Sequence, residues 1–147
     1  MIQLPPDFKE FLRLLNSQKV EYLLVGGYAV GYHGYPRTTG DIDIWVAMSP
    51  ANAQKIVDAL REFGFSDSEI DAAIFLTEGQ VIRMGVPPLR IELLTSVSGV
   101  TFQECYARRI VAEMGGVPVN VIHKDDLLAN KLAAGRAKDR GDLEALR

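Results

Sequence analysis

The stretch LLVGGYAVGYHGYPRTTGDIDIWV, residues 23–46, contains the features that decide the fold. A short apolar run ends in two glycines, Gly26 and Gly27. After a basic, threonine- and glycine-containing turn, a second apolar run contains two aspartates, Asp41 and Asp43, one residue apart. Because an unpaired carboxylate inside a buried strand is costly, these two aspartates need an explanation.

The segments around this stretch alternate between helical and strand periodicity. Helices are predicted over residues 7–17, 28–33, 51–63 and 101–109. Strands are predicted over residues 20–25, 41–46, 72–79, 80–86 and 89–96, and a hairpin should turn at Gly115-Gly116. We therefore expect an α+β fold, a mixed sheet flanked by helices, in a single domain over residues 1–147. The C-terminal residues 123–147 should form helices that are broken near Gly135.

The composition is that of an ordinary globular protein. The 147 residues are 48% hydrophobic and 24% charged, with a formal net charge of −3, so no overall basic field indicates a nucleic-acid partner. Cys105, the one cysteine, excludes an internal disulfide. The N-terminal segment lacks the pattern of a signal peptide, and no apolar run approaches the ~18 residues of a membrane span. We therefore expect a cytoplasmic protein without a membrane partner.

The two aspartates have the spacing of metal ligands. Alternate side chains of a strand share a face, so Asp41 and Asp43 should point one way, with Cα atoms roughly 6.5 Å apart, and Ile42 and Ile44 the other. A divalent cation would relieve the repulsion between the carboxylates, and Mg²⁺ prefers such oxygen ligands. Glu92 interrupts another apolar run and would complete a two-metal site if its strand lies beside the first. The alternative is that all three residues only form a polar strand face.

Two further features suggest a phosphate ligand. Glycines between a strand and a helix, as at Gly26-Gly27, let the backbone approach a phosphate closely, although a tight turn would also explain them. Lys131 falls in a helical stripe formed with Leu127, Leu128, Leu132 and Gly135. It either extends along that surface to water or contacts a phosphate or a carboxylate, and we favour the contact.

The complete arrangement resembles the nucleotidyltransferase superfamily that includes DNA polymerase beta. In that superfamily an apolar residue precedes Gly-Gly or Gly-Ser, and an Asp-apolar-Asp-apolar strand follows about ten to thirteen residues later. The likeness is strongest to small bacterial stand-alone members and to abortive-infection toxins of toxin–antitoxin pairs. These share the pattern of RTTGDID at residues 37–43, the lysine-containing helix, and a segment like KDRGDL at residues 138–143.

The resemblance implies a nucleotidyltransferase fold and a reaction. An NTP such as ATP would bind with Mg²⁺, or with Mn²⁺ instead, and its nucleoside monophosphate would pass to an unknown acceptor: an RNA or tRNA end, a protein hydroxyl or a small molecule. Asp41, Asp43 and Glu92 would be catalytic residues and metal ligands, and Glu92 would help deprotonate the acceptor. A separately encoded antitoxin would be the protein partner.

The nucleotide-binding residues implied by the resemblance are Gly26, Gly27, Arg37, Thr39, Lys131 and Asp142. Arg37 would steady the triphosphate or the acceptor, or it is an exposed loop arginine. Asp142 would support Lys131 or orient a ribose, or it is a solvated helix charge.

Two departures from the superfamily pattern leave other functions open. The third acidic residue is Glu92 where aspartate is usual, and Tyr28 stands where a serine hydroxyl often follows the second glycine. One alternative is a nucleotide-binding regulatory module of the same fold with little or no turnover. The other is metal-dependent phosphate hydrolysis with water as the acceptor.

Overall fold

The computed structural model describes residues 3–35, 40–86 and 89–146. Six α-helices and six strands follow one another in these parts of the chain. Their bounds are α1 Pro6–Ser17, β1 Tyr22–Val25, α2 Gly26–Tyr32, β2 Asp41–Val46, α3 Pro50–Phe63, β3 Val81–Val86, β4 Leu89–Leu94, α4 Phe102–Ala107, β5 Ile110–Met114, β6 Val117–Val121, α5 Lys124–Ala134 and α6 Ala137–Leu146.

The strands form one mixed sheet in the order β3-β4-β2-β1-β6-β5. Strands β2 and β4 are parallel, as are β1 and β6, while β1–β2, β3–β4 and β5–β6 are antiparallel pairs. The pairs β3–β4 and β5–β6 are hairpins, whereas α2 lies between β1 and β2. The β5–β6 hairpin turns at Gly115-Gly116 as predicted. The predicted mixed sheet flanked by helices is confirmed.

Helices cover the apolar surface of the sheet. All four residues of β1 are buried, as expected for a central strand with both faces covered. Helix α1 buries Phe8, Phe11, Leu12 and Leu15, the positions whose spacing predicted it. It packs against α3, where the rings of Phe11 and Phe63 lie 5.1 Å apart edge to face. Burial of these apolar side chains is the main stabilising contribution to the fold.

One predicted strand is wrong. Residues 72–79 do not join the sheet, and Ala72–Leu76 forms a short 3-10 helix instead. Asp71 caps this turn by accepting a hydrogen bond from the Ala73 amide, and Phe75 is buried in the core. A short apolar run does not distinguish a strand from a buried turn, and here the local cap decided the outcome.

The break between the C-terminal helices is confirmed. Gly135 ends α5 in the left-handed conformation, with φ 65°, which glycine adopts at little cost. Helix α6 then begins at Ala137 and packs against α5. Among the described helices, none is both long enough and apolar enough to cross a bilayer.

Candidate active site

The acidic strands lie side by side. Strands β2 and β4 are parallel, and their register places Asp43 beside Glu92 and Asp41 beside Arg90. Ile42 and Ile44 are fully buried, so the intervening aspartates face the other side of the strand. The predicted adjacency of the two strands is therefore confirmed, and the three acidic residues line one cleft.

Asp43 lies in a strongly unfavourable environment for a negative charge. Burial is the main cause that raises its pKa to about 7. The charge of Glu92, a hydrogen bond with Glu92 and the charge of Asp41 raise it further, while Lys138 acts in the opposite direction. Asp43 therefore lies among other acidic side chains in a largely buried position, where a nearby cation would favour its ionised form.

Gly26 makes room for this carboxylate. The residue has φ 67°, and a Cβ at this position would collide with the side chain of Asp43. Both Gly26 and Gly27 line the cleft. The glycine pair therefore lets the backbone between β1 and α2 pass directly against the acidic side chain, and α2 begins at Gly26 itself, two residues before the predicted start.

Two arginines bind the other carboxylates. The Arg90 guanidinium donates to both oxygens of Asp41, at 3.3 Å from Nε and 3.1 Å from Nη2. Arg83, the register partner of Glu92 in the β3–β4 hairpin, donates from Nε to Glu92 Oε1 at 3.2 Å. Within residues 3–35, 40–86 and 89–146, no three acidic, histidine or cysteine side chains converge closely enough to hold a metal ion as they stand.

Neither arginine was among the residues predicted from the sequence. Arg90 lies two residues before Glu92 in the predicted strand, and residues two apart in a strand share a face. The sequence therefore contained a signal that could have found Arg90. Arg83 reaches Glu92 only through the register of the β3–β4 pair, which is not readable from alternation alone.

Helices α5 and α6 contribute the basic part of the cleft. The cleft has a volume of about 520 Å³, and its lining includes Lys131 of α5, Lys138 of α6 and Arg136 from the connection between them. Polar groups of Ser96, Ser98 and Asn130 add to it, and the Asn130 amide donates to the Ser98 carbonyl at 2.9 Å. A site with carboxylates from the strands and cations from the helices suits a metal-bound polyphosphate.

Lys131 is buried rather than extended to water. Its side chain is 3% exposed, and Nζ lies 3.2 Å from Asp139 Oδ1 and 3.1 Å from Asp142 Oδ2. The predicted contact with a carboxylate is therefore present, and Asp142 supports Lys131 as one interpretation expected. The predicted stripe is wrong at Leu132, which is 65% exposed. Helix α5 turns Asp126, Leu127 and Lys131 inward, because ion pairs as well as apolar contacts determine its buried face.

Two predicted nucleotide-binding residues, Arg37 and Thr39, lie outside the described residues, so their roles stay predictions. Trp45, which continues the Asp41–Asp43 side of β2, is only 2% exposed and packs edge to face on Phe102 at 5.1 Å. It therefore belongs to the core.

Comparison with known families identifies the class of protein. Residues 3–147 match the family described as "Nucleotidyltransferase of unknown function (DUF6036)", and the chain belongs to this family. The predicted nucleotidyltransferase class is thereby confirmed. No curated protein matches the sequence at a significant level.

Solved structures of nucleotidyltransferases share the fold at low sequence identity. A Thermotoga maritima protein provisionally classed as a nucleotidyltransferase matches with a TM-score of 0.64 and 15% identity, covering 93% of this chain and 88% of its own. The lincosamide antibiotic adenylyltransferase LnuA, bound to lincomycin, matches with a TM-score of 0.58 and 16% identity, covering 98% and 96%. An antigenic nucleotidyltransferase-like protein from Paracoccidioides brasiliensis matches with a TM-score of 0.55 and 17% identity, covering 99% and 76%.

Proposed function

We propose that this protein transfers a nucleoside monophosphate from an NTP to an acceptor hydroxyl in the cleft between β2, β4 and the α5–α6 pair. The observation that carries the proposal is the parallel register of β2 and β4, which sets Glu92 beside Asp43 next to Gly26. Three carboxylates against a glycine turn, with basic side chains in the same cleft, form a site for a metal-bound triphosphate.

The carboxylates fit a divalent cation by their chemistry. Asp41, Asp43 and Glu92 provide the oxygen ligands that Mg²⁺ and Mn²⁺ take. Burial, followed by the charges of Glu92 and Asp41, raises the pKa of Asp43, and a bound cation would act in the opposite direction by favouring its ionised form. Bound there, two such ions would supply charge stabilisation at the attacking and leaving oxygens of the displacement. We propose these three residues as the metal ligands.

The residues of the chain then orient the nucleotide and accept a proton. Gly26 and Gly27 leave room for the triphosphate beside Asp43. The acceptor oxygen forms a bond to the α-phosphorus, the bond from the α-phosphorus to the bridging oxygen breaks, and pyrophosphate leaves. Glu92, with a side chain that is 14% exposed, accepts the proton of the acceptor hydroxyl.

The acceptor hydroxyl belongs to one of three classes that the resemblance allows. These classes are an RNA or tRNA end, a protein hydroxyl and a small molecule. LnuA, whose structure contains lincomycin, shows that an adenylyltransferase of similar fold binds a small molecule. The likeness to abortive-infection toxins adds the proposal of a toxin role in the cytoplasm, with an antitoxin as protein partner.

Pyrophosphate release tests the proposal. Purified protein is mixed with each α-labelled NTP, Mg²⁺ and, separately, total RNA, an extracted protein fraction and a small-molecule fraction. We expect pyrophosphate together with label on one acceptor class, and neither product from the Asp41→Ala/Asp43→Ala variant. Label that appears only as free nucleoside monophosphate would indicate hydrolysis instead of transfer.

A second candidate function is a nucleotide-binding module with little turnover. The observation that favours it is the pairing of Asp41 with Arg90 and of Glu92 with Arg83, since a guanidinium and a metal ion compete for the same oxygens. This function predicts NTP binding that depends on Mg²⁺ and on both aspartates, without pyrophosphate release in any of the three mixtures.

A further inference from the structure

A buried ion-pair network lies behind the basic part of the cleft. The Lys131 ammonium contacts both Asp139 and Asp142, and the three side chains are 3%, 0% and 1% exposed. Because Asp139 is fully buried and shares this ammonium with Asp142, a second cation at Asp139 further stabilises its charge.

Arg136 provides that second cation. Its Nε lies 2.6 Å from Asp139 Oδ2 and its Nη2 lies 3.1 Å from Asp139 Oδ1, so the guanidinium binds both oxygens of the carboxylate. The backbone amide of Arg136 also donates to Asp139 Oδ2, at 3.2 Å. The planar guanidinium is thus held in one orientation by a fully buried partner.

The other edge of this guanidinium is open to a ligand. The Arg136 side chain is 58% exposed although it is fixed at Asp139, and it lines the cleft that also contains the three carboxylates. Two of its five N–H groups are directed to Asp139, which leaves three for an anion in the cleft. A fixed, exposed guanidinium is well suited to a phosphate, because little side-chain entropy is lost on binding.

We propose that Arg136 binds the β- and γ-phosphates of the NTP, and that Lys131, Asp139 and Asp142 are positioning residues that hold its guanidinium in the cleft. This inference rests on the proposed function, because it names a substrate contact of the same site. It assigns Lys131 and Asp142 an indirect role in place of direct contact with the nucleotide. The NTP would contact the carboxylates of the strands through the metal ions. Its terminal phosphates would contact Arg136 directly.

Calorimetric titration of the full chain tests this inference. ATP with Mg²⁺, AMP with Mg²⁺ and inorganic tripolyphosphate are titrated into the wild type, Arg136→Gln, Arg136→Lys and Arg140→Gln. Arg140 is the matched control, since it is an exposed arginine of α6 outside the cleft lining. We expect Arg136→Gln to weaken ATP and tripolyphosphate at least tenfold and AMP less than twofold. The affinity of Arg136→Lys for ATP and tripolyphosphate should lie between those of the wild type and Arg136→Gln. The affinities of Arg140→Gln should match those of the wild type.

The outcomes separate this inference from the proposed function. If the wild type binds ATP and Arg136→Gln binds it equally tightly, the role of Arg136 is overturned. The proposed function is then unaffected. An equal loss of AMP and ATP in Arg136→Gln also overturns it, because the contact would then not be with the terminal phosphates. A wild type that binds neither tripolyphosphate nor any of the four NTPs, each titrated in place of ATP, overturns the proposed function and this inference together.

Discussion

Gly26 shows at the scale of one residue how a missing side chain forms part of a site. Its φ of 67° is strained for a residue with a Cβ, and a Cβ there would occupy the position of the Asp43 carboxylate. Space and backbone conformation therefore both require glycine. The sequence indicates this glycine as a close-approach position, but only the structure shows that the group approached is one of the chain's own carboxylates.

We predict that Gly26→Ala abolishes the proposed nucleotidyl transfer beyond its effect on stability. The new methyl group would displace Asp43 from the cleft, so pyrophosphate release should fall at least a hundredfold. Gly64→Ala is the matched control: Gly64 also has positive φ, 123°, but a Cβ there meets nothing within 4 Å. Each variant should lose about 1–2 kcal/mol of unfolding free energy from backbone strain, measured by urea denaturation. Activity of Gly26→Ala within tenfold of Gly64→Ala would contradict the role of the close approach.

At the scale of elements, the α5–α6 pair illustrates the limit of apolar periodicity. The break at Gly135 is readable because a left-handed helix end favours glycine. The buried face of α5 is not readable from apolar residues alone, since Asp126 and Lys131 occupy it while Leu132 is exposed. Asp126 is bound by the Arg108 guanidinium at 2.8 and 3.0 Å, and Lys131 by α6. Partners from other elements therefore determine how the helix is turned.

We predict that Lys131→Met strongly destabilises the protein. The substitution keeps most of the side-chain volume but leaves the buried carboxylates of Asp139 and Asp142 without their ammonium, so the unfolding free energy should fall by about 3–5 kcal/mol. Arg140→Met changes an exposed charge of the same helix pair and should stay within about 0.5 kcal/mol of the wild type. Urea denaturation at neutral pH measures both. A loss below 1 kcal/mol in Lys131→Met would show that the network adds little stability.

At the scale of the whole molecule, the centre of the sheet contains an ionisable group that couples folding to pH. Burial raises the pKa of Tyr22 to about 12, although hydrogen bonds with Asn16 and Asn120 lower it in part. Burial likewise raises the pKa of the Cys105 thiol to about 11. Both groups are neutral in the folded and unfolded states below their ordinary pKa values, so they cause no loss of stability near neutral pH.

We predict that stability declines as the pH rises above about 9. The unfolded chain ionises first, Cys105 above 9.0 and Tyr22 above 10.0, and the loss continues until the folded pKa values of about 11 and 12 are reached. The rise of the Tyr22 pKa from 10.0 to about 12 corresponds to a loss of about 2–3 kcal/mol of unfolding free energy at high pH. Urea denaturation between pH 8 and 12 should therefore show a shallower decline above pH 10 in Tyr22→Phe. Tyr32→Phe, at a 38% exposed tyrosine, should follow the wild type; an unchanged slope in Tyr22→Phe would refute the coupling.

The sequence by itself determined the class of fold, most element positions, the shared face of Asp41 and Asp43, and the family resemblance. These follow from the period of apolar side chains, from glycine at strand and helix ends, and from the spacing of one motif, all of which are local. The strand prediction at residues 72–79 was wrong because apolar content alone does not specify strand pairing. Part of this segment forms a 3-10 helix, which a local side-chain cap favours.

Only the tertiary structure decided how distant parts of the chain meet. It set Glu92 beside Asp43, placed Arg83 and Arg90 on the carboxylates, and joined Lys131, Arg136 and Asp139 into one network. Strand order, register and helix rotation depend on contacts between residues far apart in sequence, and no local period encodes them. The candidate acidic residues could therefore be named from the sequence, whereas the cations that surround them depend on the packing of the sheet and of the α5–α6 pair.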